Sequence, residues 1–204
     1  MITDEFYTIK DEKKSEIKVK GSTFIGSACP IESREHAEQF LASIQKKYFD
    51  ATHHCYAYRA GIESNLSFRY HDDGEPSGTA GKPIYQVITG RKLTNLIIVA
   101  TRYYGGTKLG TGGLARAYSD CAVDVITYCD IIKRIIYKNV RVQFPYDETS
   151  VVMRQIDLFE AKITETKYDI QTEMMISIRA GETERFCSQL VDLTRGKIVI
   201  LRQD

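Results

Sequence analysis

Apolar residues recur along this chain in two rhythms, and the switches between them mark out its elements. In EIKVK, Ile17 and Val19 alternate with charged residues, the period-2 signature of a half-buried strand, and Gly21 marks the turn into TFIGSACPI. Ser33 is a residue type that caps helix starts, and Ala37, Phe40, Leu41, Ile44 and Tyr48 follow it at helical spacing. THHCYAYRAG and LSFRYHD alternate polar with aromatic residues and predict a hairpin. Its first strand points His54, Tyr56 and Tyr58 one way and His53, Cys55 and Ala57 the other, so one face is small and core-like and the other large and polar-aromatic. LIIVATRYY is a compact apolar run that suits a central strand. GGLARAYSDCAVDVITYC then predicts a helix that buries Leu114, Cys121, Ala122, Val125, Ile126 and Cys129.

Past about residue 132 the texture changes. IIYKNVRVQFP reads as a strand, and DETSVVMRQIDLFEA as a helix opened by acids that suit its N-terminus. KITETKYDI and TEMMISIRAG are two further strands, ETERFCSQLVDLTRG is a helix closed by Gly196, and KIVILRQ is a last strand. The order β-α-β-β-α-β is the split βαβ, ferredoxin-like pattern. The break near residues 133–137 sets a domain of residues 1–134 against one of 135–204. The second segment has no histidine and no glycine cluster, which suits recognition or scaffolding.

Charge narrows the function classes. The net charge is +1, and residues 136–204 carry ten basic against eleven acidic residues, so a grip on a polyanion has to come from clustering on one face. No stretch approaches the ~20 apolar residues of a membrane span, so no membrane partner is expected. MITDEFYTIKDEKKSEIKVKG has acids and lysines where a signal peptide needs an apolar core, and a cytoplasmic location is expected. The five cysteines are scattered without a C-x-x-C pair, which suggests neither a disulfide framework nor a zinc knuckle.

The glycines concentrate in the middle third. In RYHDDGEPSGTAGKP, Arg69, His71, Asp72, Asp73 and Glu75 precede Gly78 and Gly81. Three carboxylates in four residues could bind a hard divalent cation, but the order is not that of a calcium loop, and Asp-Asp-Gly is also turn chemistry. No metal site is assigned. On the turn reading, Ser77 or Thr79 caps a helix from about Lys82, with Pro83 near its first turn. The next cluster, RYYGGTKLGTGGLARAY, joins the end of a strand to the start of a helix, where free backbone amides and the helix dipole suit an anion. Lys108 lies in that loop, Arg102 and Arg116 flank it, and Gly105, Gly106, Gly110, Gly112 and Gly113 let the backbone approach a ligand. It is not a Walker A loop, because Thr111 stands where that motif needs lysine. Tyr103 and Tyr104 offer faces on which bases stack. His54 and His71 suit acid–base work, or a structural role. With no nucleophile in a recognised setting, no catalytic residue and no cofactor are predicted.

DDGEPSGTAGKP followed by IIVATRYYGGTKLGTGGLARAY closely resembles the signature of the YigZ/Impact family, and the whole chain resembles its bacterial YigZ-type members. The resemblance implies an α+β protein of two domains. The first would have the fold of the second domain of ribosomal protein S5. The second would be ferredoxin-like, similar to a domain of elongation factor G. Both fold types occur in ribosomal and translation-factor proteins, which implies RNA, the ribosome or a translation-related protein as partner. The eukaryotic members' role in a kinase pathway uses an N-terminal domain with no counterpart in this sequence, and it is not carried over.

The expectation is a non-enzymatic binding or regulatory factor linked to translation. Its surface combines His54, Tyr56, Arg69, His71, Asp72, Asp73, Glu75, Arg102, Tyr103, Lys108 and Arg116, shaped by the loop glycines. The alternative is an enzyme acting on a phosphorylated small molecule or nucleotide at that same surface. An oligomeric state is not predicted.

Overall fold

The computed structural model describes residues 4–62 and 65–203. The chain divides into one compact unit, Phe6–Arg134, and a second formed by residues from Ile135 onward together with Asp4 and Glu5. The architecture is α+β.

The first unit runs β1 (Glu5–Ile9), β2 (Lys13–Val19), β3 (Ser22–Pro30), α1 (Arg34–Lys47), β4 (His53–Ala60), β5 (Ser67–His71), α2 (Gly81–Gly90), β6 (Leu96–Tyr103), α3 (Gly110–Thr127) and β7 (Ile131–Ile135). Its sheet has five strands in the order β2-β3-β6-β4-β5, each antiparallel to its neighbours. The predicted hairpin is β4 with β5, and LIIVATRYY supplies the central strand β6.

Alternation along the strands builds two cores. Phe24, Ala28, Cys55, Ala57, Leu96, Ile98 and Ala100 meet Ile84 and Ile88 of α2 and Leu114, Cys121 and Val125 of α3. The alternate residues Cys29, Tyr56, Tyr58, Ile97 and Val99 meet Ala37, Phe40 and Ile44 of α1. Burial of each large side chain stabilises by about 1.5–3 kcal/mol before conformational entropy is counted. The face that looks polar-aromatic in the sequence is therefore interior, because α1 covers it. α1 is capped as its sequence predicts: the Ser33 hydroxyl accepts from the His36 N–H at 3.2 Å, and Lys46 and Lys47 complement the dipole at its end.

The second unit contains β8 (Tyr137–Phe144), α4 (Thr149–Leu158), β9 (Lys162–Tyr168), β10 (Thr172–Arg179), α5 (Thr183–Leu193) and β11 (Val199–Gln203). Its four strands lie in the antiparallel order β11-β8-β10-β9, the ferredoxin-like arrangement. Val140, Val142, Phe144, Met174, Ile176 and Ile178 pack against Val152, Ile156, Phe186 and Leu190 of the helices. On the alternate positions Arg141 pairs with Glu173 at 2.6 Å and with Glu165 at 3.8 Å, so these charges neutralise one another. Arg179 binds Asp4 at 3.0 Å and Glu5 at 2.7 Å and holds the Asp4 carboxyl below its usual range.

Two strands escaped the pattern reading. β1 and β7 pair with each other in a two-stranded sheet, and neither EFYTI nor IIKRI alternates clearly in burial. Among the described residues, no helix is long and apolar enough to cross a membrane.

Candidate functional site

The first glycine-rich segment is held by its own carboxylates. Past β5 the chain turns through Asp73 and Gly74, both at positive φ (46° and 86°). Asp72 Oδ1 accepts from the Ala80 and Gly81 N–H groups at 2.9 and 2.8 Å, and Oδ2 accepts from Gly78 N–H at 2.8 Å. The start of α2 is thus satisfied by Asp72, eight residues before the first helical turn, and not by Ser77 or Thr79. The Thr79 hydroxyl instead donates to the Pro76 carbonyl at 2.6 Å. An aspartate reaching from outside the local window supplies two oxygens to three amides, which one hydroxyl cannot do. Asp73 Oδ2 accepts from His54 N–H at 2.6 Å. Both aspartate carboxylates are therefore structural.

Glu75 turns the other way, into the protein. Its Oε1 accepts from Arg102 Nη1 at 2.5 Å and from the Tyr118 hydroxyl at 2.8 Å, with His53 Nε2 at 3.9 Å. The Arg102 and Glu75 side chains are only 6% and 5% exposed. Arg102 Nη2 donates to the Ser22 hydroxyl at 3.3 Å, while its buried Nε has no hydrogen-bond partner among the described residues. The guanidinium lies between two rings, 5.4 Å from the centre of Phe24 and 5.5 Å from that of Tyr104. Tyr104 is 47% exposed, so its other side faces out.

The second segment closes over this pair. Gly105 lies so near the β2–β3 turn that a Cβ there would stand 1.9 Å from the Gly21 carbonyl carbon. Gly106 and Gly110 take positive φ (83° and 71°), and α3 begins at Gly110 without a side-chain cap. The first amides of α3 are therefore available to a ligand. Glu75, Pro76, Arg102, Tyr104, Lys108 and Leu109, with Gly110, Thr111 and Leu114 of α3, line a cavity of about 280 Å³. An exposed lysine, free helix amides, an open aromatic face and a buried carboxylate thus meet in one hollow.

A model of the Impact N-terminal domain matches residues 20–126, the stretch that builds this cavity. The chain belongs to the IMPACT family. A domain of unknown function, DUF1949, matches residues 142–197. The IMPACT family member YvyE of Bacillus subtilis is 31% identical over 192 residues, covering 94% of this chain and 88% of that protein. The IMPACT family member YigZ of Escherichia coli is 29% identical over 185 residues, covering 90% and 91%. A crystal structure described only as that of a hypothetical protein superimposes with a TM-score of 0.69 at 28% identity over 98% of both chains.

In this IMPACT family chain the expected surface residues divide between the two sides of the sheet. Glu75, Arg102 and Lys108 converge on the cavity with Gly110. Gly105 N–H donates to the Ser22 hydroxyl at 3.2 Å, which braces the loop behind the cavity. Gly112 and Gly113 lie in the first turn of α3 and Arg116 is exposed on the next. His54, Tyr56, Arg69, His71 and Tyr103 fall on the α1 side, because strand alternation sends them opposite to Arg102. His54 and Tyr56 are buried there, His54 Nδ1 being 3.2 Å from the Thr101 hydroxyl and Tyr56 stacking on His71 at 5.8 Å. The Tyr103 hydroxyl donates to Asp50 at 2.7 Å. Gly78 and Gly81 serve the Asp72 cap, and a Cβ on Gly81 would stand 2.5 Å from the His71 nitrogen. The single combined patch expected from the sequence does not form.

Tyr104, read in the sequence as a stacking face, borders the cavity, and other members of the site were not foreseen. Ser22, Leu109, Thr111, Leu114 and Tyr118 all border the cavity or the ion pair beneath it. The spacing of Thr111, Leu114 and Tyr118 places them on one helical stripe, a signal the sequence does carry. Beneath the ion pair the Cys55 thiol donates to the Asp72 carbonyl at 2.9 Å. Burial raises the Cys55 and Tyr118 ionisations, so both stay protonated and act as hydrogen-bonding groups, not nucleophiles.

Proposed function

We propose that this IMPACT family chain is a non-enzymatic binding factor linked to translation, and that it holds RNA at the α3 cavity. The observation that carries this reading is the meeting of Lys108, the uncapped start of α3 and the open face of Tyr104 around one hollow. The amides and the lysine suit a backbone phosphate, and the tyrosine suits an adjacent base. Arg102 contributes through its position under Tyr104, since Glu75 already neutralises its charge. Both fold types recur among ribosomal and translation-factor proteins, which supports the link to translation.

Fluorescence anisotropy with a labelled single-stranded RNA tests the reading. With one phosphate neutralised by Lys108, affinity falls roughly 2.5-fold between 50 and 200 mM salt. Lys108→Ala weakens binding several-fold and lowers the salt slope by about 0.7. An affinity that is flat across salt, or unchanged in Lys108→Ala, overturns it. Co-sedimentation with ribosomal subunits tests the translational link.

One observation favours a second reading, an enzyme acting on a phosphorylated small molecule or nucleotide: Glu75 is a buried carboxylate bordering the same cavity. Turnover of a nucleotide by the native protein, lost in Glu75→Gln, would establish it.

A further inference from the structure

The cavity contains one group that a phosphate alone does not explain. Glu75 is an acceptor only, and a carboxylate beside an anion site repels the anion. Arg102, Tyr118 and His53 all approach Oε1, and Oε2 has no hydrogen-bond partner among the described residues. The side chain is 5% exposed, and it borders the same hollow as Lys108, Gly110 and Thr111. An acceptor with no protein donor among the described residues, in the wall of a cavity beside donors for an anion, suits a ligand that carries both an anion and a hydrogen-bond donor within one cavity width.

We infer that the cavity reads a ribose phosphate, with the phosphate on the start of α3 and Lys108, and the sugar 2′-hydroxyl donating to Glu75 Oε2. This rests on the phosphate site of the proposed function and adds its selectivity: RNA over DNA. Ribose supplies the donor and deoxyribose lacks it, which is the chemical difference between the two polymers. The bond to Arg102 holds the Glu75 side chain in place, so the sugar meets a fixed acceptor. Tyr104, stacked over Arg102, offers its exposed face to the base on the same nucleotide or the next.

The test compares a 12-nucleotide RNA with the same sequence as DNA and as 2′-O-methyl RNA, by anisotropy on the full chain. The 2′-O-methyl strand keeps the RNA sugar pucker, loses the donor and adds a methyl group, whereas the DNA strand loses the donor without added bulk. RNA binding about 10-fold or more tighter than both analogues is the expected result, as for one hydrogen bond to a charged group. A scan of single deoxy substitutions should then show one position where most of that factor is lost. Glu75→Gln keeps an oxygen toward Arg102 and Tyr118, puts an amide NH₂ where Oε2 was, and should flatten the scan, with a melting curve to confirm that it folds. The ligand series on the unaltered protein decides the matter even if that variant does not. AMP competing better than 2′-deoxy-AMP supports the same chemistry with a free nucleotide as its source, whereas competition by the RNA strand alone assigns it to the polymer.

Equal, salt-sensitive binding of RNA and DNA overturns the inference and leaves the proposed function standing. Equal binding of RNA and 2′-O-methyl RNA, both above DNA, overturns it in favour of sugar shape. Failure of the RNA, its analogues and both nucleotides to bind removes both.

Discussion

Arg102→Met isolates the buried ion pair on which the site is built. The substitution removes the 2.5 Å bond to Glu75 and the 3.3 Å bond to Ser22, in a pair whose side chains are 6% and 5% exposed. Leaving one member of a buried pair uncompensated costs about 3–5 kcal/mol. Tyr118 at 2.8 Å and His53 at 3.9 Å still face Glu75, which places the loss near the lower end, about 3 kcal/mol. With a urea slope of about 2 kcal/mol/M, the midpoint of the Phe6–Arg134 unit falls by roughly 1.5 M. The chain has no tryptophan, so far-UV circular dichroism follows the transition, and the second unit serves as the internal reference. The triple variant Glu75→Leu/Arg102→Met/Tyr118→Phe strands neither the carboxylate nor the tyrosine hydroxyl. It keeps the edge-to-face contact of ring 118 with Phe24 at 5.1 Å, and should return to within about 1 kcal/mol of the parent. A midpoint shift below about 0.5 M for Arg102→Met, or a triple variant weaker than the single, would refute the uncompensated-charge argument.

Two further outcomes follow from the geometry. Gly105→Ala drives a Cβ to 1.9 Å from the Gly21 carbonyl carbon and should destabilise by about 3 kcal/mol in urea unfolding. Gly90→Ala, which meets nothing within 4 Å, should stay within about 1 kcal/mol, and equal losses at both positions would contradict the packing account. Burial, the largest influence on His54, lowers its pKa below the ordinary 6.5 against a smaller opposing pull from Asp73. The fold favours the neutral ring, so its contribution is complete above pH 6.5 and fades as pH falls from there through the folded value. Urea midpoints at pH 8 and 5.5 should show the loss in the parent and a smaller one in His54→Gln, and identical slopes in the two would count against it.

The functional reading depends on which charges remain free. Arg102, Asp72 and Asp73 all look like ligand groups in a linear reading, yet each is engaged internally. Lys108 is the cation that borders the cavity without an ion pair among the described residues. A single free cation over an uncapped helix suits one phosphate held in register better than a broad electrostatic grip. That is why salt slope and sugar chemistry, and not net charge, are the informative measurements.

The sequence by itself determined the elements other than β1 and β7, the α+β class, the ferredoxin-like order of the second segment and the family, because periodicity and a long motif are local signals. It also located the two glycine-rich segments that meet at the cavity. Which side chains share a side was another matter. His54 and Tyr56 lie on a strand next to His53 and Cys55, and whether a strand face is surface or core depends on where α1 lands, which no window of sequence contains. Asp72 caps a helix eight residues away, and Glu75 finds Arg102 and Tyr118 at separations of 27 and 43 residues. Burial and ion pairing are properties of groups brought together from far apart in the chain, so only the tertiary structure could separate the charges that build the site from the one left to bind.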